Sequence, residues 1–253
     1  MIRAVYFDLD DTLCAYWAAS AKGLREAFQE AEIDPDLGIA EWRTVFPTFA
    51  KEIKTDAWYA HYLESGEKTR TEHLRRTLER LNRNEDQLAA RISERYAQLR
   101  NEYLVLFPDA LPLLESLQSR FPLGVITNGP ADIQRQEIAR LGIERFFGQV
   151  LIEGEFKLGK PNPEIFEAAE RHCGLAPEEM LFVGNAYEHD VQGAKTAGWE
   201  ALWLNRGSEE SVLKQPEPNR TISNLYEVCD YLNIERPTQE LPSIPAELVT
   251  NWR

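Results

Sequence analysis

Beyond Leu106 the chain alternates short apolar runs with one-sided helical segments, and few folds accommodate that alternation. The runs fall at residues 123–127, 149–152, 180–183 and 201–204. Helical spacing holds near residues 110–119, 133–141, 163–172, 191–197 and 224–232. A further run at residues 2–7, rich in β-branched and aromatic side chains, reads as one more buried strand. Together these predict an α/β, Rossmann-like parallel sheet with helices on both faces.

The segment between the first run and Leu106 has another texture. From Ala15 to about Asn101 the period is helical and no strand signal competes. Four apolar stripes recur at spacings of three or four residues: Trp17 to Phe28, Trp42 to Ile53, Leu74 to Leu81, and Leu88 to Tyr103. They predict a four-helix bundle inserted after strand one. The expected division is a core of residues 1–14 and 106–233, a helical insertion of 15–105, and a tail of 234–253. Pro237, Pro242 and Pro245 make that tail extended, either packed along the surface or partly disordered.

With 253 residues and 43% hydrophobic content, the chain can bury a sizeable core. A net charge of −14 repels nucleic acid and anionic lipid, so neither is an expected partner. Arg70, Arg75, Arg76, Arg80 and Arg83 alternate with Glu72, Glu79 and Glu85, as on a solvated helix face. Acids by position 8 argue against a secretory signal, and no stretch nears the ~18 apolar residues of a membrane span. Cys14, Cys173 and Cys229 are odd in number and widely spaced, which suits a reducing cytoplasm.

The first apolar run ends in Asp8-Leu9-Asp10-Asp11-Thr12. Carboxylates there are costly to desolvate unless a cation or donors meet them. The carboxyl end of a strand in an open α/β sheet is also where ligands bind. An Asx turn or a helix N-cap would use the same acids. Three more polar segments follow predicted strands: Thr127-Asn128-Gly129, Lys160-Pro161, and Gly184-Asn185 through Asp190. Sheet topology would bring all four to one rim. Other chemistries find little support. Gly154 to Lys160 has the glycine and lysine spacing of a P-loop, but Pro161 stands where Ser or Thr should bind Mg²⁺. No Gly-x-Ser-x-Gly elbow and no Gly-x-Gly-x-x-Gly turn occurs, and the four histidines lack zinc spacing.

Taken in combination, Asp-x-Asp-x-Thr, Thr-Asn-Gly, Lys-Pro-x-Pro-x-Ile-Phe and Gly-Asn-x-x-x-x-Asp resemble the haloacid dehalogenase (HAD)-like superfamily. The resemblance is to its capped phosphatase branch, near 5′-nucleotidases and acylneuraminate 9-phosphatases, and covers about residues 1–233. It implies a cytoplasmic, Mg²⁺-dependent hydrolase of small phosphate monoesters, nucleotide or sugar phosphates, working as a monomer or homodimer. Asp8 would attack phosphorus, and Asp10 would protonate the leaving alcohol and later activate water. For both to reach one substrate, the chain is expected to leave strand geometry at Leu9. Thr127 and the Asn128 N–H would hold phosphoryl oxygens, with Lys160 pairing phosphate and Asp8.

Two carboxylates meeting a phosphate dianion gather about four negative charges, each pair ~4 Å apart costing ~4 kcal/mol at an effective dielectric of ~20. A hard cation would offset this charge, and the resemblance implies Mg²⁺, held by Asp8, the Asp10 carbonyl and residue 185, with Asp190 close by or acting through water. Position 185 departs from the family pattern: it is Asn where Asp is usual, which predicts weaker metal binding with turnover kept. Glu188 and His189 read as exposed helix residues. A dehalogenase would not need Asp10, a mutase would need a second phosphate site in the insertion, and a non-catalytic binder is suggested by Asn185 alone. Trp17, Trp42, Trp58 and Tyr62 read either as bundle core or as stacking platforms for a substrate.

Overall fold

The computed structural model describes residues 1–207 and 215–249. Six parallel strands form one sheet in the order β3-β2-β1-β4-β5-β6. They are β1 (Ala4–Phe7), β2 (Leu123–Thr127), β3 (Gln149–Ile152), β4 (Met180–Gly184), β5 (Glu200–Leu204) and β6 (Arg220–Ile222). The predicted strands are all present, and the chain adds β6 at an edge. That strand is three residues long with two exposed side chains, too little for an apolar run to mark it.

Strand residues alternate between faces, and the sheet is packed on both. Val5, Phe7, Val183 and Leu202 join one apolar cluster with α6 (Ala110–Leu117), α7 (Ala131–Leu141) and α11 (Glu227–Tyr231). Ala4, Tyr6, Phe182 and Trp203 join another with α9 (Pro163–Cys173) and α10 (Gln192–Thr196). Helix α9 shows how local sequence sets the bounds. Asn162 accepts from the Glu164 N–H at 3.0 Å, Pro163 occupies the first turn, and Gly174 closes the helix at a φ of 64°.

Between β1 and β2 the chain runs through α1 (Tyr16–Glu30), α2 (Pro35–Glu52), α3 (Asp56–Glu64), α4 (Gly66–Arg80) and α5 (Leu88–Tyr103). Leu24, Phe28, Trp42, Leu74, Leu78, Leu88, Ile92 and Leu99 form a third apolar cluster there. The insertion thus has five helices, not the four its stripes predict. Helix α3 spans only nine residues and its inward side carries tyrosines, so no apolar stripe reveals it. One further short helix, α8 (Glu153–Phe156), follows β3. In the tail, Ile244 and Leu248 pack against the first sheet-side cluster, while residues 250–253 lie outside the described region. Among the described residues no helix is long and apolar enough to cross a membrane.

Candidate active site

Asp8 directly follows β1, and its N–H still donates to the Val183 carbonyl at 3.0 Å. The chain then folds back. The N–H groups of Thr12, Leu13 and Cys14 converge on the Leu9 carbonyl at 3.3, 2.9 and 3.2 Å, and Asp11 adopts a left-handed φ of 58°. This is the expected departure from strand geometry at Leu9. It also places Thr12 to donate to Asp8 Oδ2 at 3.0 Å while accepting from the Asn185 N–H at 3.1 Å. Asn185 Oδ1 lies 3.3 Å from the same hydroxyl, so the ends of β1 and β4 are locked together.

Lys160 lies between two carboxylates. Its Nζ is 2.6 Å from Asp8 Oδ1 and 2.7 Å from Asp190 Oδ1, and all three side chains are buried. Burial pulls the ammonium down, but Asp190 and Asp8 more than offset this and hold its pKa above the ordinary value. Asp190 is pushed up to about 6, by burial first and then by Asp8. Its other oxygen accepts from the Ala186 N–H at 2.8 Å. Gly184 leaves room for that carboxylate, since a Cβ at 184 would collide with it. The Lys160 backbone is fixed from both sides by Asn128, which accepts its N–H at 2.7 Å and donates to its carbonyl at 2.8 Å. The Asn128 side chain is therefore occupied in positioning Lys160.

Asp10 belongs to a second network. Gln134 Nε2 donates to Asp10 Oδ2 at 3.1 Å and to Glu137 Oε2 at 3.0 Å, and Gln134 Oε1 accepts from Thr127 Oγ1 at 2.6 Å. Burial, then the Asp8 charge, raises Asp10 to about 6. Burial and Asp10 together drive Glu137 well above the usual carboxylate range. A third network joins the insertion to the sheet through buried Glu153. Its Oε1 accepts from Lys54 at 2.6 Å and Tyr59 at 2.9 Å, and its Oε2 from the Gly129 N–H at 3.1 Å and Tyr62 at 3.3 Å.

A cavity of about 220 Å³ opens beside Asp10, walled by Trp17, Trp42, Tyr62, Arg70 and Arg100 among others. Trp42 is both bundle core and cavity wall, while Trp58 packs against Phe49 and does not line it. Arg70 does not belong to the solvated face that its sequence neighbours suggest: it lines this cavity. His73, also in the wall, is lowered to about 4 by burial and is neutral near pH 7. Glu188 and His189 are exposed on the turn after β4. A larger hollow of about 820 Å³ between α1, α2 and Leu248 contains none of the strand-end groups.

The oxygen donors suit a hard cation. Asp190 Oδ1 is buried with no well-directed hydrogen bond, although the Lys160 ammonium is close. Asp8, Asp190 and the Asn185 amide offer hard oxygens around it, the ligand chemistry Mg²⁺ takes. Among the described residues no three His, Cys, Asp or Glu side chains are grouped to hold a metal. An amide and a backbone carbonyl would therefore have to complete such a site.

The sequence motifs give Thr12 no separate role and do not single out Gln134, Glu137, Glu153 or Arg100. Glu153 carried a readable signal, since it follows an apolar strand directly, as Asp8 does. Gln134 and Glu137 sit one turn apart on the helix that opens after Thr127-Asn128-Gly129, which is a weaker hint.

A family model of haloacid dehalogenase-like hydrolases matches residues 2–198. The chain is 32% identical to the glyceraldehyde 3-phosphate phosphatase of Methanopyrus kandleri, over 98% of this chain and 99% of that one. It is 28% identical to the N-acylneuraminate-9-phosphatase of Mus musculus, over 90% and 92%. In fold it is similar to the hydrolase YfnB of Bacillus subtilis, solved bound to magnesium, with a TM-score of 0.74, 24% identity, and coverage of 92% and 99%.

Proposed function

The chain belongs to the haloacid dehalogenase-like hydrolase family, and we propose that, as a phosphoric monoester hydrolase of that family, it works through a phosphorylated Asp8. The observation that carries the reading is the ammonium of Lys160 bridging Asp8 and Asp190 in a buried strand-end site. Asp8 is presented to a ligand with its position fixed by Lys160 and Thr12. In the first step an Asp8 oxygen bonds to phosphorus and the bond from phosphorus to the leaving oxygen breaks. The proton of Asp10 goes to that leaving oxygen, and Asp10 then takes a proton from the water that cleaves the acyl phosphate. A carboxyl raised to about 6 suits both roles. The Gln134 clamp keeps it aimed, which a dehalogenase would not need.

In this reading the Asn128 N–H holds a phosphoryl oxygen and Lys160 offsets its charge, while the Thr127 hydroxyl, whose one proton goes to Gln134, must turn from that bond to reach the phosphate. Mg²⁺ would be held by Asp8, the Asp10 carbonyl, Asn185 and Asp190, and when bound would neutralise charge on the phosphoryl group. The five helices of residues 15–105 act as a cap that selects the ester, while the core grips its phosphate. The substrates are small phosphorylated metabolites, as the names of the relatives say of those proteins. Three free cysteines support a reducing, cytoplasmic setting.

The test is release of inorganic phosphate from p-nitrophenyl phosphate and a panel of small phosphate esters with Mg²⁺. Asp8→Asn should lower turnover at least ~10⁴-fold, the scale of losing a nucleophile, with circular dichroism checking that the variant is folded. Asn185 is the observation that favours a non-catalytic binder, and absence of release across the whole panel would establish that reading instead.

A further inference from the structure

We propose that the cavity beside Asp10 holds a second anion site, so that the leaving group of the natural ester carries a carboxylate or second phosphate seated by Arg70 and Arg100. The inference rests on the phosphatase reading of the strand-end groups. Arg70 comes from α4 and Arg100 from α5, and both line the same cavity. Arg70 Nε donates to the Ser93 carbonyl at 3.1 Å and Oγ at 3.0 Å. Its terminal nitrogens have no partner among the described residues. Arg100 is 2% exposed, and its Nε has no hydrogen bond. The nearest acid, Glu137, lies 3.7 Å away at Oε1, too far to accept one.

The neighbouring arginines are arranged differently. Arg75, Arg76, Arg80, Arg83 and Arg95 each hold a glutamate at hydrogen-bonding distance. Arg91, which also lacks such a partner among the described residues, is exposed on α5, whereas Arg70 and Arg100 face the cavity. A guanidinium is a fork of five donors that matches a carboxylate or phosphate edge, and a buried one is costly while its donors go unmet. Arg100 lies over the Tyr16 and Tyr96 rings, 5.5 and 6.0 Å from their centroids, but the largely aromatic wall offers the two guanidinia few acceptors, and Asp10 is the single acid among the lining residues. An anion brought by the ligand satisfies both arginines. The cavity is also smaller than the roughly 300–1,000 Å³ of sites for drug-sized ligands, which favours a compact hydroxy acid or diol phosphate over a nucleoside.

Three phosphonates that differ only at the far end test this by calorimetry with Mg²⁺ present: butylphosphonate, 4-phosphonobutanoate and butane-1,4-bisphosphonate. At least one charged compound should bind ten times more tightly than butylphosphonate, and which one does so separates a carboxylate from a second phosphate. In Arg70→Gln, the more accessible of the two sites, that preference should fall below threefold. Arg100→Gln should lower it too, with circular dichroism checking that the variant is folded. Equal affinities for all three compounds would overturn the inference. So would an equal loss for all three in Arg70→Gln, which would mean the arginine grips the transferred phosphoryl group itself. Absence of binding by any of them also overturns it. The phosphatase reading is judged separately, by phosphate release from esters.

Discussion

The strand ends and the cavity wall lie side by side and are built on opposite principles. At the strand ends, Asp8, Lys160, Thr12 and Asp190 meet one another at 3.0 Å or less, or meet backbone donors of β4 and its loop. Across Asp10, the wall is aromatic and its two arginines have donors to spare. The first arrangement needs no ligand to be stable and so fixes the geometry of whatever binds there. The second is incomplete alone, so a ligand adds most of its interactions at that end. In a phosphatase these ends correspond to the group common to all substrates and the group that differs between them.

Removing the centre of the preformed end should have the largest effect. Lys160→Ala leaves two buried carboxylates facing each other, and breaking a buried pair in this way costs about 3–5 kcal/mol. Urea unfolding in metal-free buffer should show that loss, and phosphate release should fall at least ~10²–10³-fold. A loss of stability below about 1 kcal/mol would mean that Asp8 and Asp190 turn to other partners, and the strand-end site would not be preformed. The contact between the two regions should matter less. Glu153→Ala strands the Gly129 N–H and the donors of Lys54, Tyr59 and Tyr62, costing about 1–3 kcal/mol. Because Glu153 touches no reacting group, the variant should raise KM several-fold and change kcat by less than threefold. A kcat loss with constant KM would instead assign Glu153 to the chemistry.

The same contrast accounts for what could be read from the sequence. Strands β1, β2, β4 and β5 are buried runs and β3 a partly buried one, and the four polar segments lie at or just beyond their ends because connections in parallel sheets begin there. Asp8, Lys160 and Asp190 meet where motif order predicts, since sheet topology fixes strand ends to within a few ångströms. The cavity wall was less legible. Arg70 and Arg75 look alike in sequence, and which one turns inward depends on how α4 packs on α5. Arg100 shares a stripe with Ile92, Tyr96 and Leu99, so it reads as a break in an apolar pattern until the cavity is seen. Glu153 matters because α3 and the turn before it come back over α8, a contact across about a hundred residues that no local period encodes. Helix α3 is too short, at nine residues, for an apolar stripe to recur along it, and edge strand β6 buries a single side chain.

Asn185 gives the finest test of how complete the strand-end region is without a ligand. Its N–H is held by Thr12, so the backbone of an Asn185→Asp variant would keep its place and the substitution would chiefly add charge. That charge would join Asp8 and Asp190 around a single ammonium, making a third carboxylate against one cation. Without metal, Asn185→Asp should therefore lower the melting temperature by a few degrees. With Mg²⁺ the sign should reverse, because the added carboxylate is itself a ligand, and affinity measured by calorimetry should rise about tenfold, or ~1.4 kcal/mol. The opposed shifts are diagnostic, since a merely disruptive substitution lowers stability in both conditions. An unchanged Mg²⁺ affinity would remove residue 185 from the ligand set and leave Asp8, the Asp10 carbonyl and Asp190 to hold the ion.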